Sequence, residues 1–314
     1  MRMDLRKNNF LFLALLSIIG ISYPVKFFLK NNFNLFQQQD TVLYNRQYYL
    51  LQKALTDSAN AKRTEQIRIN MERWKAFPKN PGRQYLFVNV ADFSLQVVEN
   101  DSVVMGMKAI VGRTYRKTPV FNAKLSHIVF NPSWNIPISI LKKDILPVVF
   151  KDTSYLRKKH IRIYRYGAGG IREVVPADSV NWHRLSIHYF PYELIQDPGK
   201  DNSLGVVLFM FPNPYDVFMH DTPAKNLFNK SEPAFSSGCI RISDAIGLAD
   251  YLLKNKRGWD RKKIMEVIQS GKTTTVNLAE PIDIYITYFT AWMDEHATLQ
   301  FRKDIYDQDT LQLE

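Results

Sequence analysis

Apolar and polar positions divide the chain into stretches of different periodicity. Arg2, Arg6 and Lys7 precede an apolar run over 10–23, and Val25, Phe27, Phe28 and Leu29 carry it past Lys26. A basic stretch followed by an apolar one at an N-terminus reads as an export segment. With its tail the run approaches the roughly 20 residues that span a bilayer. The cations before it favour a cytoplasmic N-terminus. Gly20-Ile21-Ser22 is a fair cleavage site and no cysteine follows for lipid attachment. Residues 1–30 are therefore expected to be a membrane anchor or a signal peptide, with an uncleaved anchor favoured. Residues 31–80 read as a linker and a helical segment. Leu43, Leu51 and Leu55 lie near one face, and Ile67, Met71 and Trp74 follow i, i+4, i+7 spacing. This segment is too short for a core of its own and is expected to pack against the main domain. Pro78, Pro81 and Gly82 end it.

From Gln84 the period shortens to that of strands. Residues 85–90 form a short apolar run, and 93–98 and 103–111 flank Asn100-Asp101, a hairpin signal. Residues 125–130, 206–211 and 216–220 continue the strand texture, and 273–278 and 282–288 read as closing strands. Residues 139–150 and 152–159 read as helical. Residues 160–204, with Gly167, Gly169 and Gly170, read as an irregular insertion. Ser243 and Asp244 cap a helix to about 256, and Asp260 caps another that stops at Gly271. The pattern predicts a mainly β (α+β) fold with peripheral helices.

Composition narrows the classes. An apolar fraction of 46% and an aromatic fraction of 13% over 314 residues suit one sizeable β-rich core plus an appendage. A net charge of +12 points to an anionic partner. Lys and Arg are scattered and no nucleic-acid motif is present, so no nucleic acid is expected. A single cysteine excludes an intrachain disulfide framework and a cysteine-based zinc site. His183 and His188 have no carboxylate or cysteine companions. Gly271-Lys272-Thr273 lacks the opening glycine of a phosphate loop, because Glu266 stands there. Neither a metal nor a cofactor is expected.

The candidate chemistry lies in Ser236-Ser237-Gly238-Cys239-Ile240-Arg241, with His220-Asp221-Thr222-Pro223 upstream. A thiol is a weak nucleophile at neutral pH, and an imidazole can take its proton. Gly238 removes a side chain beside the sulfur, and the amides of Gly238 and Cys239 are candidates for an oxyanion hole. Arg241 shares a strand face with Cys239 and suits a carboxylate; a structural salt bridge is its alternative. For Cys239 itself the alternative is a buried structural thiol. Asp221 suits either the orientation of His220 or a turn. Ser237 is supportive. Trp134 and Phe218 are assigned to substrate binding, although aromatic stretches of this kind are more often core.

The pattern from His220-Asp221-Thr222 to Ser236-Ser237-Gly238-Cys239-Ile240-Arg241 resembles the active-site motif of L,D-transpeptidases with the YkuD-type catalytic domain. Ser237 departs from it, since the commonest form has a second His there. The Ser-Ser-Gly-Cys form is similar to the large envelope subgroup with an inserted lid. Asn70-Met71-Glu72-Arg73-Trp74, Ile110-Val111-Gly112-Arg113, Thr118-Pro119-Val120-Phe121, Asn131-Pro132-Ser133-Trp134-Asn135-Ile136-Pro137, the stretch 211–217 and the tail Tyr288-Phe289-Thr290-Ala291-Trp292 resemble that subgroup as well.

The resemblance implies a catalytic β-sheet or sandwich domain over 81–314 with a lid at about 135–204. It implies peptidoglycan stem peptides as donor and acceptor, and a Cys239 acyl-enzyme that yields 3→3 cross-links in cell wall biogenesis and cell shape. His220 would be base and then acid, without metal or cofactor. Carbapenem-type inhibitors would be partners, and the N-terminal segment would hold the enzyme on the periplasmic side of a bacterial inner membrane. An L,D-carboxypeptidase or an enzyme attaching proteins to peptidoglycan would share the acyl-enzyme. A catalytically silent wall-binding module is the alternative of another class. The order His before Cys disfavours a papain-like protease.

Overall fold

The structure, a computed structural model, describes residues 46–309. The apolar run at 10–29 and Leu43 lie outside them. Among the described residues no helix is long and apolar enough to cross a membrane.

Helices α1 (Arg46–Ala54) and α2 (Thr64–Ala76) come first. Strands β1 (Gln84–Asn89), β2 (Ser94–Glu99), β3 (Ser102–Gly112) and β4 (Phe121–Phe130) follow. An insertion then contributes β5 (Trp134–Asn135), α3 (Leu146–Val149), α4 (Ser154–Lys158), β6 (Ile161–Tyr166), β7 (Arg172–Val175) and β8 (Glu193–Gln196). The main sheet resumes with β9 (Val207–Met210), β10 (Met219–His220), β11 (Ala234–Ser236) and β12 (Ile240–Ile242). Helices α5 (Ala245–Leu253) and α6 (Arg261–Gln269) precede β13 (Thr274–Thr287) and the small pair β14 (Ala291–Met293) and β15 (Leu299–Phe301).

The nine-stranded sheet runs β11-β3-β12-β10-β9-β4-β13-β1-β2, and β2 also pairs with β3, so the sheet closes on itself. Closure depends on β3: its first part pairs with β2, and its last residues reach β12 and β11. The Asn100-Asp101 turn has φ of 50° and 61°, the left-handed pair that matches strand twist in a two-residue hairpin. Leu86, Val88, Leu95, Val97, Ile128, Phe209, Met219, Ile240 and Ile284 fill the interior, and Leu248, Leu253 and Ile264 of α5 and α6 complete it. Asp244 and Asp260 cap those helices by accepting from Gly247 N and Lys263 N. The helix expected to run to about 256 is shorter, ending at Leu253.

Helices α1 and α2 bury the expected faces. Leu51, Ile67, Met71 and Trp74 cluster with Phe289, and Trp74 stacks on Phe289 at 3.8 Å between ring centroids. Buried Asn70 donates to Thr290 Oγ1 at 2.7 Å and accepts from Thr290 N at 2.9 Å.

Several expectations are corrected. Residues 273–278 and 282–288, expected as two strands, are one strand, β13, whose register shifts between Asn277 and Ile282. Pro281 lies in that shift, where its missing N–H costs the ladder nothing. Of 216–220, only Met219–His220 joins the sheet. Residues 160–204 are irregular only in part: β6, β7 and β8 join β5 in a four-stranded sheet of order β5-β8-β6-β7. Their signal is weak in the sequence because each strand is short: in β6 buried Ile161 and Ile163 flank exposed Arg162, but exposed Arg165 breaks the alternation. The insertion has its own apolar cluster, including Ile136, Leu141, Ile145, Leu146, Val149, Leu156, Ile163 and Leu194. Residues 139–150 are helical in pieces, with a π turn at Leu141–Ile145 leading into α3. Pro147, which has no amide proton for an ordinary helical bond, sits just after that turn.

The insertion leaves the main sheet between β4 and β9, which are antiparallel neighbours with Phe130 opposite Val207. Asn131 N donates to Val206 O at 2.9 Å beside that pair.

Candidate active site

Strands β10 and β12 run parallel, with Met219 opposite Ile240 and His220 opposite Arg241. Residues paired across a ladder point to the same side, and positions i and i+2 share a face. His220 and Arg241 therefore face the same way, and Cys239 stands on that face one step outside the ladder, opposite Phe218. Ile240 N donates to Phe218 O at 2.9 Å at that step. The spacing of His220 and Cys239 in the chain is thus closed by a parallel pairing that periodicity does not reveal.

The turn before Cys239 is held by main-chain and hydroxyl contacts. Ser236 Oγ donates to Cys239 O and accepts from Gly238 N at 3.1 Å. Thr118 Oγ1 donates to Gly238 O at 2.8 Å and accepts from Gly112 N at 2.9 Å. Tyr306 Oη donates to Gly112 O at 2.6 Å, and Thr118 N donates to Tyr306 Oη at 3.2 Å. Thr118 and Tyr306 are both buried. A Cβ on Gly112 would collide with the main-chain carbonyl of Arg116, so this crossing admits only glycine. Gly238 has a φ of 115°, a conformation L side chains avoid.

Three site expectations change. The Gly238 amide, expected to face an oxyanion, is occupied by Ser236 Oγ. The Cys239 amide has no hydrogen-bond partner among the described residues and remains available. The Asp221 carboxylate makes no hydrogen bond to His220: it accepts from Val206 N at 3.0 Å and pairs with Lys225 Nζ. The main-chain carbonyl of Asp221 faces His220 Nδ1 instead. A carbonyl only accepts, so Nδ1 carries the proton and Nε2 the lone pair. Trp134 lies in the insertion, packed against its apolar cluster, because β5 pairs with β8 there. Ser237 Oγ accepts from Arg116 Nη1 at 2.7 Å. Sequence reasoning missed Ser236, Thr118, Tyr306 and Arg116 as site residues. Ser236 stands in the motif without an assigned role and Thr118 lies in a stretch that carries the family resemblance, but only the folded geometry joins them to Tyr306.

Burial pushes the His220 imidazole down to about 4, helped by the positive charge of Arg241; its main-chain contact with Asp221 pulls the other way. Burial raises the Cys239 thiol, against a main-chain contact with Phe218 and the charge of Arg241. The half-buried thiol has the Asp216 main-chain carbonyl 4.0 Å away, and no hydrogen bond joins it to His220. At neutral pH the resting pair is thus a neutral thiol and a neutral imidazole. Arg241 is lowered by burial. No carboxylate pairs with it among the described residues, so the salt-bridge alternative is not what is observed. Its Nε is buried without a partner.

The closed β-sheet thus presents on one face a thiol, an imidazole and a guanidinium that pairs with no carboxylate among the described residues. Residues 83–276 match the L,D-transpeptidase catalytic domain of the YkuD type. A curated Haemophilus influenzae protein named "Putative L,D-transpeptidase" is 32% identical over 267 residues, covering 85% of this chain and 53% of its own length. The chain thus spans about half the length of that relative. The chain belongs to the L,D-transpeptidase family.

Among solved structures, an L,D-transpeptidase from Mycobacterium smegmatis is 10% identical, with a TM-score of 0.29, over 65% of this chain and 58% of that one. L,D-transpeptidase 3 from Mycobacterium tuberculosis, in complex with a faropenem-derived adduct, is 11% identical, with a TM-score of 0.27, over 65% and 60%.

Proposed function

We propose that this chain is a peptidoglycan L,D-transpeptidase that forms 3→3 cross-links through an acyl-enzyme on Cys239. The supporting observation is the β10–β12 register, which sets His220 and Arg241 side by side on the face of Cys239. In the first half-reaction His220 Nε2 takes the thiol proton as Sγ attacks the carbonyl of the third stem residue. The Cys239 amide receives the oxyanion. The C–N bond to the terminal D-alanine breaks, and His220 returns the proton to the leaving amine. In the second, the side-chain amine of an acceptor stem attacks the thioester and gives its proton to His220, and the thiolate leaves and is reprotonated. Arg241 holds a donor carboxylate. Phe218 lines the thiol, and Ser237 supports the turn.

The substrate places the reaction outside the cytoplasmic membrane of a bacterial envelope, with residues 10–29 as the anchor. A reporter fused after Asn80 should be active outside the cytoplasm, and activity only inside would contradict this.

Incubation of the protein with a tetrapeptide muropeptide, read by mass, should show dimers and free D-alanine, both lost in Cys239→Ala. Tripeptide without dimer would move the reading to an L,D-carboxypeptidase, and no D-alanine at all to a silent wall-binding module. The same thiol attacks strained acyl groups. A one-to-one carbapenem adduct on Cys239 is expected, formed more slowly in Arg241→Ala while iodoacetamide alkylation is little affected. Equal carbapenem rates in the two proteins would retire Arg241 as the carboxylate receptor.

A further inference from the structure

Arg116 lies in the loop between β3 and β4, and its side chain is only 14% exposed. Its guanidinium makes contacts in two directions. Nη1 donates to Ser237 Oγ at 2.7 Å, in the turn that carries Cys239. Nη1 and Nη2 together grip the Asp144 carboxylate, Nη2 to Oδ1 at 3.3 Å. Asp144 belongs to the inserted lid: it sits in the π turn whose Leu141 and Ile145 are buried in the lid's own cluster. Its position is therefore set by the lid core, whereas Ser237 is set by the main sheet. The lid is otherwise continuous with the main sheet through its junctions with β4 and β9.

Three parts of the molecule thus meet at one cation. A guanidinium this covered requires acceptors, and a carboxylate gripped by its fork is a stronger partner than a hydroxyl. If Asp144 withdraws with the lid, Arg116 loses its anionic partner and the geometry it imposes on Ser237 relaxes. Lid position and the shape of the Ser237-Gly238-Cys239 turn are then linked, and the linkage acts in both directions.

We propose that Arg116 is a positioning residue for acyl transfer, through which the lid, by way of Asp144, sets the orientation of Ser237 and with it the Cys239 amide that receives the oxyanion. This rests on the reading of Cys239 as the nucleophile. The lid then does more than cover the substrate: a docked lid completes the electrophile-stabilising geometry, and an undocked one leaves the thiol present but poorly aligned.

The test uses the full chain with Asp144→Asn, Ser237→Ala, the double variant and Arg116→Lys. The readouts are carbapenem acylation of Cys239 by intact mass, iodoacetamide alkylation and melting temperature. Asp144→Asn is nearly isosteric at a partly exposed site, so it reports even where Arg116→Lys is unstable. Each single variant should slow acylation at saturating carbapenem about ten- to hundredfold, the size of effect that small misplacements produce. Iodoacetamide rates, which need no oxyanion site, should stay within about twofold on the same reasoning. The double variant should be no slower than the slower single one, because both changes cut one connection. Arg116→Lys, though it keeps the charge, should be slowed like the other single variants, since a lysine lacks the fork.

Wild-type acylation rates in the folded single variants, or losses that add fully in the double variant, would overturn the proposal. A wild type that alkylates but takes no acyl group would overturn the nucleophile reading and this proposal with it, a result distinct from an acylating wild type with indifferent variants.

Discussion

At Cys239 and His220 the decisive quantity is the protonation state at rest. Burial raises the thiol and lowers the imidazole, so the resting pair is not an ion pair. The iodoacetamide rate at Cys239 should therefore keep rising above about pH 9, past the ordinary thiol range. A plateau below about pH 7 would show a preformed thiolate–imidazolium pair and contradict the geometry. The imidazole also links stability to pH. Its folded value of about 4 lies below its ordinary 6.5, so between them the unfolded chain binds a proton that the folded chain refuses. Stability is fully present above that window and falls as pH drops through it, by on the order of 3 kcal/mol. His220→Gln lacks this group. Urea unfolding at about pH 7 and about pH 4 should show the variant losing less than wild type over that interval; equal losses would mean that His220 is not buried neutral.

Among the elements, α2 shows how local pattern and long-range packing divide the work. Its spacing predicts which face is apolar, and that face is the buried one. What the face meets is Phe289, far along the chain, with Trp74 stacked on it and Phe87 alongside. Trp74→Ala should cost about 3–5 kcal/mol, the usual loss for a large buried aromatic. Chemical denaturation will measure it, and a loss below about 1 kcal/mol would mean that α2 is an ornament on the sheet. The elements around the site were less legible. Strand β10 has two residues in the ladder and β12 has three, too few to show a period. Their placement comes from pairing with β9 and β3.

Among the described residues, the closed sheet carries an insertion where an ordinary hairpin turn would serve. Because β4 and β9 are adjacent and antiparallel, removing residues 132–204 and joining the ends with a short Gly-containing turn should leave the main sheet folded. Thermal unfolding should remain cooperative and Cys239 should still alkylate, while carbapenem acylation falls with the loss of Asp144. Failure of the shortened chain to fold would show that the two apolar clusters depend on each other.

The sequence by itself determined the class of fold, the hairpin at Asn100-Asp101, the caps at Asp244 and Asp260, the buried faces of the early helices and the candidate pair His220 and Cys239. Each is a local matter: a turn residue, a cap, a short-range period, or residue types whose chemistry is known in advance. The tertiary structure alone decided which groups meet. It turned the Asp221 carboxylate to Val206 and Lys225, and occupied the Gly238 amide with Ser236. Among the described residues it left Arg241 without a carboxylate, and it brought Thr118, Tyr306 and Arg116 to the turn from distant positions. Hydrogen bonds between residues far apart in the chain have no periodic signature, because closing the sheet, not spacing, brings their donors and acceptors within reach.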